Sequence, residues 1–281
     1  MTMTTPAASE ELLAIATEVA RRAAALIRDR AVGEVEVVAT KSSDVDVVTR
    51  TDRDSELLIR RLLRERRPGD GFFGEEGREE VGTTGVRWLI DPIDGTVNFL
   101  YGLPEYAVSI AAEQTGSDGA QTVAGVVINA ASGVEYTAHR SGPGPGRVVA
   151  RRDGHRLTVR GPSPMAQRLV LTGFSYDAGL REQQARSLAV LIPRVRDIRR
   201  HGSCALELCH LAEGRADAYV EEGVNPWDYA AGALVAEGAG ARVRVGRGAA
   251  GRTLVIAAPE HGFDEFEALV HEAGYAAPGR P

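Results

Sequence analysis

The segment that decides the fold runs Trp88-Leu89-Ile90-Asp91-Pro92-Ile93-Asp94-Gly95-Thr96-Val97-Asn98-Phe99. Its first residues form an apolar run typical of a buried strand, and a carboxylate follows directly at the end of that run. Pro92 restricts the backbone to a turn and Asp94-Gly95 ends that turn, so a short helix begins at Thr96. The segment therefore predicts a strand, a turn and a helix, with two aspartates close together.

Two interpretations of these aspartates stay open on this segment alone. Asp94 is a residue type that caps helix N-termini, which would make the segment an ordinary connection. Alternatively, the rigid Pro92 directs both carboxylates into one space, and the free amides of Gly95 and Thr96 form a natural phosphate site at the helix start.

Two further segments place acids where regular structure meets a loop: Gly74-Glu75-Glu76-Gly77 and Asn225-Pro226-Trp227-Asp228. Each is ambiguous by itself, because paired acids are common in solvated turns and because an acid is favourable in the first turn of a helix. Taken with the first segment, they predict an all-oxygen cluster of Glu75, Asp91, Asp94 and Asp228.

An all-oxygen cluster favours hard divalent cations, and Mg²⁺ in particular is held by a few carboxylates together with phosphate oxygens of a substrate. Without a metal the carboxylates would repel an anionic substrate, whereas two Mg²⁺ ions would attract it, activate a water molecule and stabilise the leaving oxygen. The glycine-rich stretches match neither common nucleotide-binding loop.

Composition excludes several other classes of protein. The chain has 281 residues, of which 43% are hydrophobic and 26% charged, values that are ordinary for a folded domain and exclude disorder. The net charge of −6 argues against a nucleic-acid partner, and no apolar stretch approaches the roughly 20 residues of a membrane helix. The absence of a secretory signal, with only two cysteines, predicts a cytoplasmic location.

The order of predicted elements indicates a layered α/β protein, with an α+β part followed by an α/β part. A Gly/Pro-rich stretch at 141–146 predicts two halves of one compact unit, 1–145 and 146–281, and a hairpin turning at Asp153-Gly154 follows it. Periodicity predicts helices over 10–30, 52–67, 181–191, 204–212, 227–237 and 262–271, and strands over 35–38, 45–48, 72–73, 86–90, 107–112, 123–129, 134–138, 169–172, 195–198, 216–220, 241–245 and 253–257.

These motifs resemble a known family. Gly74-Glu75-Glu76, Asp91-Pro92-Ile93-Asp94-Gly95-Thr96 and Trp227-Asp228-Tyr229-Ala230-Ala231-Gly232 are similar to the signatures of the inositol monophosphatase family, the Mg²⁺-dependent, lithium-sensitive phosphatases. The loop Lys41-Ser42-Ser43 and the segment 46–52 resemble that family's N-terminal loop and helix start, and the resemblance extends from about Lys41 to Arg242.

The resemblance implies a five-layer αβαβα sandwich, similar to fructose-1,6-bisphosphatase, a homodimer, and a small phosphorylated polyol as substrate. It implies one Mg²⁺ held by Glu75, Asp91 and the Ile93 carbonyl, a second held by Asp91, Asp94 and Asp228, and a third, weaker ion near Glu75 and Glu76.

The resemblance also implies catalytic roles. Thr96, hydrogen-bonded to Asp52, together with Glu75 would position and deprotonate the attacking water, and because a threonine hydroxyl is a weak base, the two carboxylates are the final proton acceptors. Phosphate would lie on the Gly95 and Thr96 amides. The positions that match substrate contacts are Asp94, Gly202, Ser203, Cys204, Glu221 and Asp228.

Lys41 is the only lysine, while the other 32 basic residues are arginines. A compact ammonium is predicted near the phosphate or near the water of the third metal ion, where the planar fork of arginine would fit poorly. Cys204 departs from the alanine expected in inositol-specific members, and Ser175 matches the substrate wall only loosely. His201, beside Gly202, is open to two interpretations, a substrate contact and the favoured one, an ordinary loop histidine.

The leading hypothesis is hydrolysis of myo-inositol monophosphate. The alternatives are a sister activity on histidinol phosphate, fructose 1,6-bisphosphate or a 3′-phosphoadenosine nucleotide, and a non-catalytic, regulatory or RNA-associated protein of the same fold. Such a regulatory protein would be expected to have lost metal ligands, whereas every ligand position is filled here.

Overall fold

The computed structural model describes residues 6–32, 35–40, 46–116, 119–141 and 146–276. Fourteen strands are present in these ranges: β1 Val37–Thr40, β2 Val47–Thr49, β3 Gly71–Gly74, β4 Val86–Asp94, β5 Ala107–Gly116, β6 Gly119–Asn129, β7 Glu135–Ser141, β8 Arg147–Arg152, β9 His155–Arg156, β10 Leu169–Thr172, β11 Asp197–Arg199, β12 Ala218–Glu222, β13 Ala241–Arg247 and β14 Thr253–Pro259.

Seven α-helices accompany them in the same ranges: α1 Pro6–Arg30, α2 Arg50–Arg66, α3 Thr96–Tyr101, α4 Ala178–Leu191, α5 Cys204–Ala212, α6 Pro226–Gly238 and α7 Phe263–Glu272. The bounds of α5 match the prediction at both ends. Ser203 explains its start, because the Ser203 side chain caps the helix by accepting the amide of Leu206.

The strands form two large sheets and one β1–β2 hairpin pair. The first sheet has seven strands in sequence order from β3 to β9, with β3 parallel to β4 and every later pair antiparallel. The second sheet has the order β11-β10-β12-β14-β13, in which the first three strands are mutually parallel and β14 is antiparallel to both of its neighbours, β12 and β13. Parallel pairs place the carboxyl ends of neighbouring strands at one edge of a sheet.

The helices and sheets form five layers, which pack against one another through three hydrophobic clusters. Helices α1 and α2 cover one face of the seven-stranded sheet, and α5 and α6 lie between the two sheets. Helix α7, with Leu191 at the end of α4, covers the outer face of the five-stranded sheet. The predicted αβαβα sandwich is therefore confirmed.

Two differences from the predicted elements concern the end of strand β4 and the place where the two sheets divide. Strand β4 continues through Asp94 instead of ending before a turn, and its pairing with β5 becomes irregular between Asp91 and Asp94. The seven-stranded sheet also includes β8 and β9, so the sheets divide after Arg156. The division into halves at residues 145 and 146 remains a prediction.

The hairpin turn is at the predicted place. Asp153 and Gly154 both have positive φ, 47° and 81°, between β8 and β9. This conformation suits a two-residue hairpin, where aspartate and glycine are favoured because they tolerate left-handed backbone. Within the described ranges, no helix has both the length and the apolar character required to cross a membrane.

Candidate active site

A cavity of about 520 Å³ lies between the two sheets, and most of the predicted site residues line it. Its lining includes Glu75, Asp91, Ile93, Asp94, Gly95, Thr96, Gly202, Ser203, Cys204, Glu221 and Asp228. Asp52 lies behind this surface, Glu76 is outside the lining, and Lys41 with Ser42 and Ser43 falls outside the described residues.

The irregular end of β4 explains how Asp91 and Asp94 share one cavity. Side chains three residues apart in a regular strand point to opposite faces of the sheet. The pairing with β5 shifts between Asp91 and Asp94, and the Asp91 carboxylate accepts the amide of Ile93 at 3.0 Å inside this irregular stretch. The change of register turns both carboxylates toward the same space.

Strand β3 brings the next carboxylate to this place. Because β3 and β4 are parallel, with Gly74 paired to Ile90, Glu75 emerges beside the end of the β4 strand pairing. Its amide donates to the carbonyl of Ile90 at 3.1 Å. The adjacent Glu76 instead donates its amide to Glu56 at 2.7 Å, which holds that part of the loop against α2.

Asp94 does not cap α3, so the ordinary-connection interpretation is wrong. The cap position of α3 is Gly95, whose φ of 97° is left-handed and whose added Cβ would lie 2.8 Å from the Glu105 carbonyl. The Asp94 carboxylate instead accepts the Ser203 hydroxyl and the Ala205 amide, each at 2.6 Å. Burial raises the pKa of Asp94 to about 6, and these hydrogen bonds partly oppose the shift.

Asp228 has both of the roles that the sequence left open, as an acid in the first turn of a helix and as a member of the carboxylate cluster. It completes a capping box with Asn225, whose amide donates to the Asp228 carboxylate at 2.7 Å, and it also lines the cavity. Burial raises the pKa of Asp228 well above its usual value, and the neighbouring carboxylates of Glu75 and Asp94 raise it further. The same side chain therefore starts α6 and adds charge to the cluster.

Thr96 and Asp52 form the predicted hydrogen bond. The Thr96 hydroxyl lies 3.0 Å from the Asp52 carboxylate and 3.0 Å from the Ile93 carbonyl, and its single proton can go to only one of them at a time. Asp52 is fully buried, and its second oxygen accepts the amide of Thr49 at 2.8 Å as part of the capping box of α2.

The opposite wall carries Glu221 and Cys204. The Tyr219 hydroxyl lies 2.9 Å from the Glu221 carboxylate and 3.0 Å from the Cys204 sulfur. Burial raises the pKa of Glu221 to about 7, with Tyr219 opposing the shift. Gly173 leaves room beside it, because an added Cβ would lie 2.0 Å from the Glu221 carboxylate and that carboxylate would have to move.

Several lining residues were not predicted as site residues. Asp46, Tyr176, Arg200 and Arg252 all border the cavity. Arg200 hydrogen-bonds to Tyr176 and its charge lowers the pKa of Glu221, so it is a cationic group on the substrate side. Its position in the sequence could have pointed to it, because Arg200 is two residues before Gly202 and loop residues next to a predicted substrate contact share its surroundings.

The electrostatics of the cavity suit a bound cation. Burial and mutual repulsion raise the pKa values of Asp94 and Asp228, which means that their charged forms are disfavoured without a counter-charge. All donors in the cluster are oxygens, namely carboxylates and the Ile93 carbonyl, which are the ligands of hard divalent ions. The donor set therefore fits Mg²⁺.

The chain is similar to known proteins over nearly its whole length. Residues 8–274 match the inositol monophosphatase family. An inositol-1-monophosphatase of Mycobacterium bovis is 44% identical over 265 residues, covering 88% of this chain and 89% of that protein. The solved structure of Mycobacterium tuberculosis SuhB is 41% identical with a TM-score of 0.77, covering 97% of this chain and 99% of that chain.

A second set of relatives carries another name. A protein named Nus factor SuhB, from Pasteurella multocida, is 37% identical over 234 residues, covering 83% of this chain and 84% of that protein. The extragenic suppressor protein suhB of Bartonella henselae has a TM-score of 0.80 at 29% identity, covering 92% of this chain and 98% of that chain. With the family match, the sandwich and the carboxylate cavity together, the chain belongs to the inositol monophosphatase family of phosphatases.

Proposed function

We propose that the protein hydrolyses myo-inositol monophosphate to inositol and phosphate with the help of Mg²⁺. The observation that carries this proposal is the meeting of Glu75, Asp91, Asp94 and Asp228, from three separate segments, in one cavity of about 520 Å³. A cavity of this size suits a small phosphorylated polyol with its ions.

Two to three Mg²⁺ ions would be held by Glu75, Asp91, Asp94, Asp228 and the Ile93 carbonyl, with Glu76 near the third. When bound, Mg²⁺ neutralises phosphate charge and lowers the pKa of a coordinated water. The raised pKa values of Asp94 and Asp228 support a cation here, because a nearby positive charge favours their ionised forms.

The chain itself supplies positioning and a proton acceptor. Thr96 orients the attacking water through its hydroxyl, and Asp52 holds that hydroxyl at 3.0 Å from a fully buried position. Glu75 is the second acceptor, because it lies beside the end of β4 at the cavity wall. Attack on a phosphate monoester depends mainly on such positioning and on charge neutralisation.

The opposite wall would recognise the polyol. Glu221 accepts hydrogen bonds from hydroxyl groups, and Gly202, Ser203 and Cys204 leave room for a compact ring while Asp94 contacts both ion and substrate. Phosphate would lie against Gly95 and Thr96, with Arg200 adding a positive charge at the rim of the same cavity.

A substrate panel tests this proposal. The purified chain with Mg²⁺ is assayed on myo-inositol 1-phosphate, histidinol phosphate, fructose 1,6-bisphosphate and a 3′-phosphoadenosine nucleotide, and we expect the highest kcat/KM on inositol phosphate. A rival that exceeds it by about tenfold, or 1.4 kcal/mol in transition-state binding, would assign the sister activity instead.

The name Nus factor SuhB among the relatives favours a second candidate, a regulatory role for the folded chain. The complete carboxylate set argues that catalysis is kept as well. Leaving out Mg²⁺, or removing it with a chelator, separates the two roles. Phosphatase turnover would then stop, while a purely regulatory function would persist.

Homodimerisation, lithium sensitivity and a cytoplasmic location are further parts of the proposal. Sedimentation of the purified chain would give its mass in solution, and inhibition by Li⁺ in the Mg²⁺ assay would test sensitivity directly. We expect a mass of two chains and loss of turnover in Li⁺, with no loss in the same concentration of Na⁺.

A further inference from the structure

A group of side chains of the types that bind metals lies beside the cavity. His201 precedes α5, and Glu207 and His210 are three residues apart on α5, a spacing that puts them on one face of the helix. One donor atom from each of the three residues lies within 4.8 Å of the other two.

A fourth donor approaches from another element. Glu105, in the loop between α3 and β5, places one carboxylate oxygen 4.0 Å from Nε2 of His210. That oxygen is buried and accepts no hydrogen bond from the described residues. A buried carboxylate oxygen without a donor is costly, and a cation among these groups would satisfy it.

The donor types differ from those of the carboxylate cluster. Two imidazoles with two carboxylates are typical ligands of Zn²⁺ and related ions, and a Glu-x-x-His pair on one helix is a recurrent metal-binding spacing. Tetrahedral Zn²⁺ sites place donors about 3.3 Å apart, so the donor atoms of His201, Glu207 and His210 would have to approach one another by about 1.5 Å at most.

The cluster is partly accessible. The side chains of Glu207 and His210 are 1% and 7% exposed, whereas those of His201 and Glu105 are 34% and 31% exposed. An ion could therefore enter from the His201 and Glu105 side and be held against the buried pair.

We propose that His201, Glu207, His210 and Glu105 form a second metal site, selective for Zn²⁺ or Co²⁺ over Mg²⁺. The site adjoins the catalytic cavity, because Glu207 also lines that cavity and His201 immediately precedes Gly202. A bound ion would fix the 201–204 loop, whose predicted role is substrate contact.

The competing explanation is a clamp without an ion. Glu207 accepts the amide of His201 at 2.7 Å and contacts Nδ1 of the same residue at 2.9 Å, which by itself would hold the loop. The two explanations differ in one measurable respect, the binding of a transition ion while Mg²⁺ is present in excess.

The experiment uses the 281-residue chain, first stripped of metals and then saturated with Mg²⁺, which is titrated with Co²⁺ and followed by visible absorption. We expect one equivalent to bind with a spectrum of nitrogen and oxygen ligation, and Zn²⁺ to displace it. In His201→Gln and His210→Gln we expect the affinity for Co²⁺ to fall about tenfold or more. Losses of this size follow even when only a group hydrogen-bonded to a metal ligand is removed.

Two variants serve as controls. His155→Gln removes an exposed histidine of β9 and should leave Co²⁺ binding unchanged. Asp91→Asn damages the carboxylate cluster and should abolish turnover but keep the Co²⁺ spectrum, which separates this site from the proposed catalytic one. His201→Gln alters a partly exposed ring, so it tests the site even if His210→Gln folds poorly.

Either of two results would overturn the proposal. Absence of Co²⁺ binding in the presence of Mg²⁺ would leave the cluster as a clamp only. Binding that persists in both histidine variants but disappears in Asp91→Asn would place the ion in the carboxylate cluster.

Discussion

The hydroxyl of Thr96 lies 3.0 Å from the carboxylate of Asp52, and the same carboxylate caps helix α2 through Thr49. One fully buried side chain therefore fixes the start of a helix and faces the hydroxyl that lines the cavity. Because α2 packs against β4, the hydrogen bond places Thr96 relative to the strand that carries Asp91 and Asp94.

Asp52→Asn should lower kcat by about 100-fold or more, because the amide is not a proton acceptor of comparable strength. Unfolding in urea should show a loss of about 1 kcal/mol from the weakened cap. Thr49→Ala is the matched control, since it removes the cap partner but leaves the carboxylate on Thr96. Equal loss of kcat in both variants would assign Asp52 a purely structural role.

Asp94→Asn should abolish most turnover at saturating Mg²⁺, by at least about 100-fold, while the fold persists. Its amide oxygen can still accept from Ser203 and Ala205, so the change removes charge with few lost hydrogen bonds. Calorimetric titration should show weaker Mg²⁺ binding. Ser203→Ala, which keeps the charge, should retain Mg²⁺ affinity, and unchanged turnover in Asp94→Asn would contradict the catalytic assignment.

Glu221 predicts a pH dependence of stability in the metal-free protein. Burial raises its pKa from 4.5 to about 7, so the folded state holds this proton more tightly than the unfolded state does. Its contribution is fully present below pH 4.5 and is lost as the pH rises through about 7, roughly 3 kcal/mol in all.

Urea unfolding of the metal-free wild type and of Glu221→Gln, measured from pH 4.5 to 8, would check this expectation. The variant should lack the fall in unfolding free energy that Glu221 causes over this window. Glu182→Gln, which changes an exposed acid on α4, should follow the wild type. Parallel curves for the wild type and Glu221→Gln would contradict the raised pKa.

Gly173→Ala should reduce both stability and substrate binding, because the new Cβ would lie 2.0 Å from the Glu221 carboxylate. We expect a loss of about 1–3 kcal/mol in unfolding free energy, as for other overpacked sites, and a higher KM. Gly161→Ala has open space around its Cβ and should change neither quantity. Adding Glu221→Ala to Gly173→Ala should restore stability but not substrate binding, whereas stability that stays low would place the clash elsewhere.

Lys41→Arg should lower turnover by about tenfold or more, because a planar guanidinium does not replace a compact ammonium near phosphate. Arg50→Lys is the reverse exchange at an exposed position of α2 and should keep full activity. Steady-state kinetics on inositol phosphate would check both. Near-normal rates in Lys41→Arg would make this single lysine a coincidence of composition.

Much of the fold could be predicted because its signals are local. The bounds of α5 follow from the Ser203 cap and from the mainly apolar residues of 204–212, and the β8–β9 turn follows from Asp153-Gly154. Cap and turn residues act on residues close to them in the sequence, so the helix ends and turns that they form can be predicted without tertiary contacts.

The way in which distant residues meet at the site was harder to predict. The segment around Asp91 predicted a turn, but pairing with β5 carries the strand on to Asp94 with a shifted register. The partners of Asp94 are Ser203 and Ala205, more than 100 residues away in the chain. No local pattern specifies a hydrogen bond across that separation.

The sequence by itself determined which acids are present, their order, and the helix starts and turns beside them, because these depend on side-chain type and short-range backbone geometry. Only the tertiary structure decided which groups face one another: Asp94 with Ser203, Tyr219 with Cys204, and Glu105 with His210. The packing of five layers sets those distances, since each pair joins elements that approach only when both sheets and the helices between them are in place.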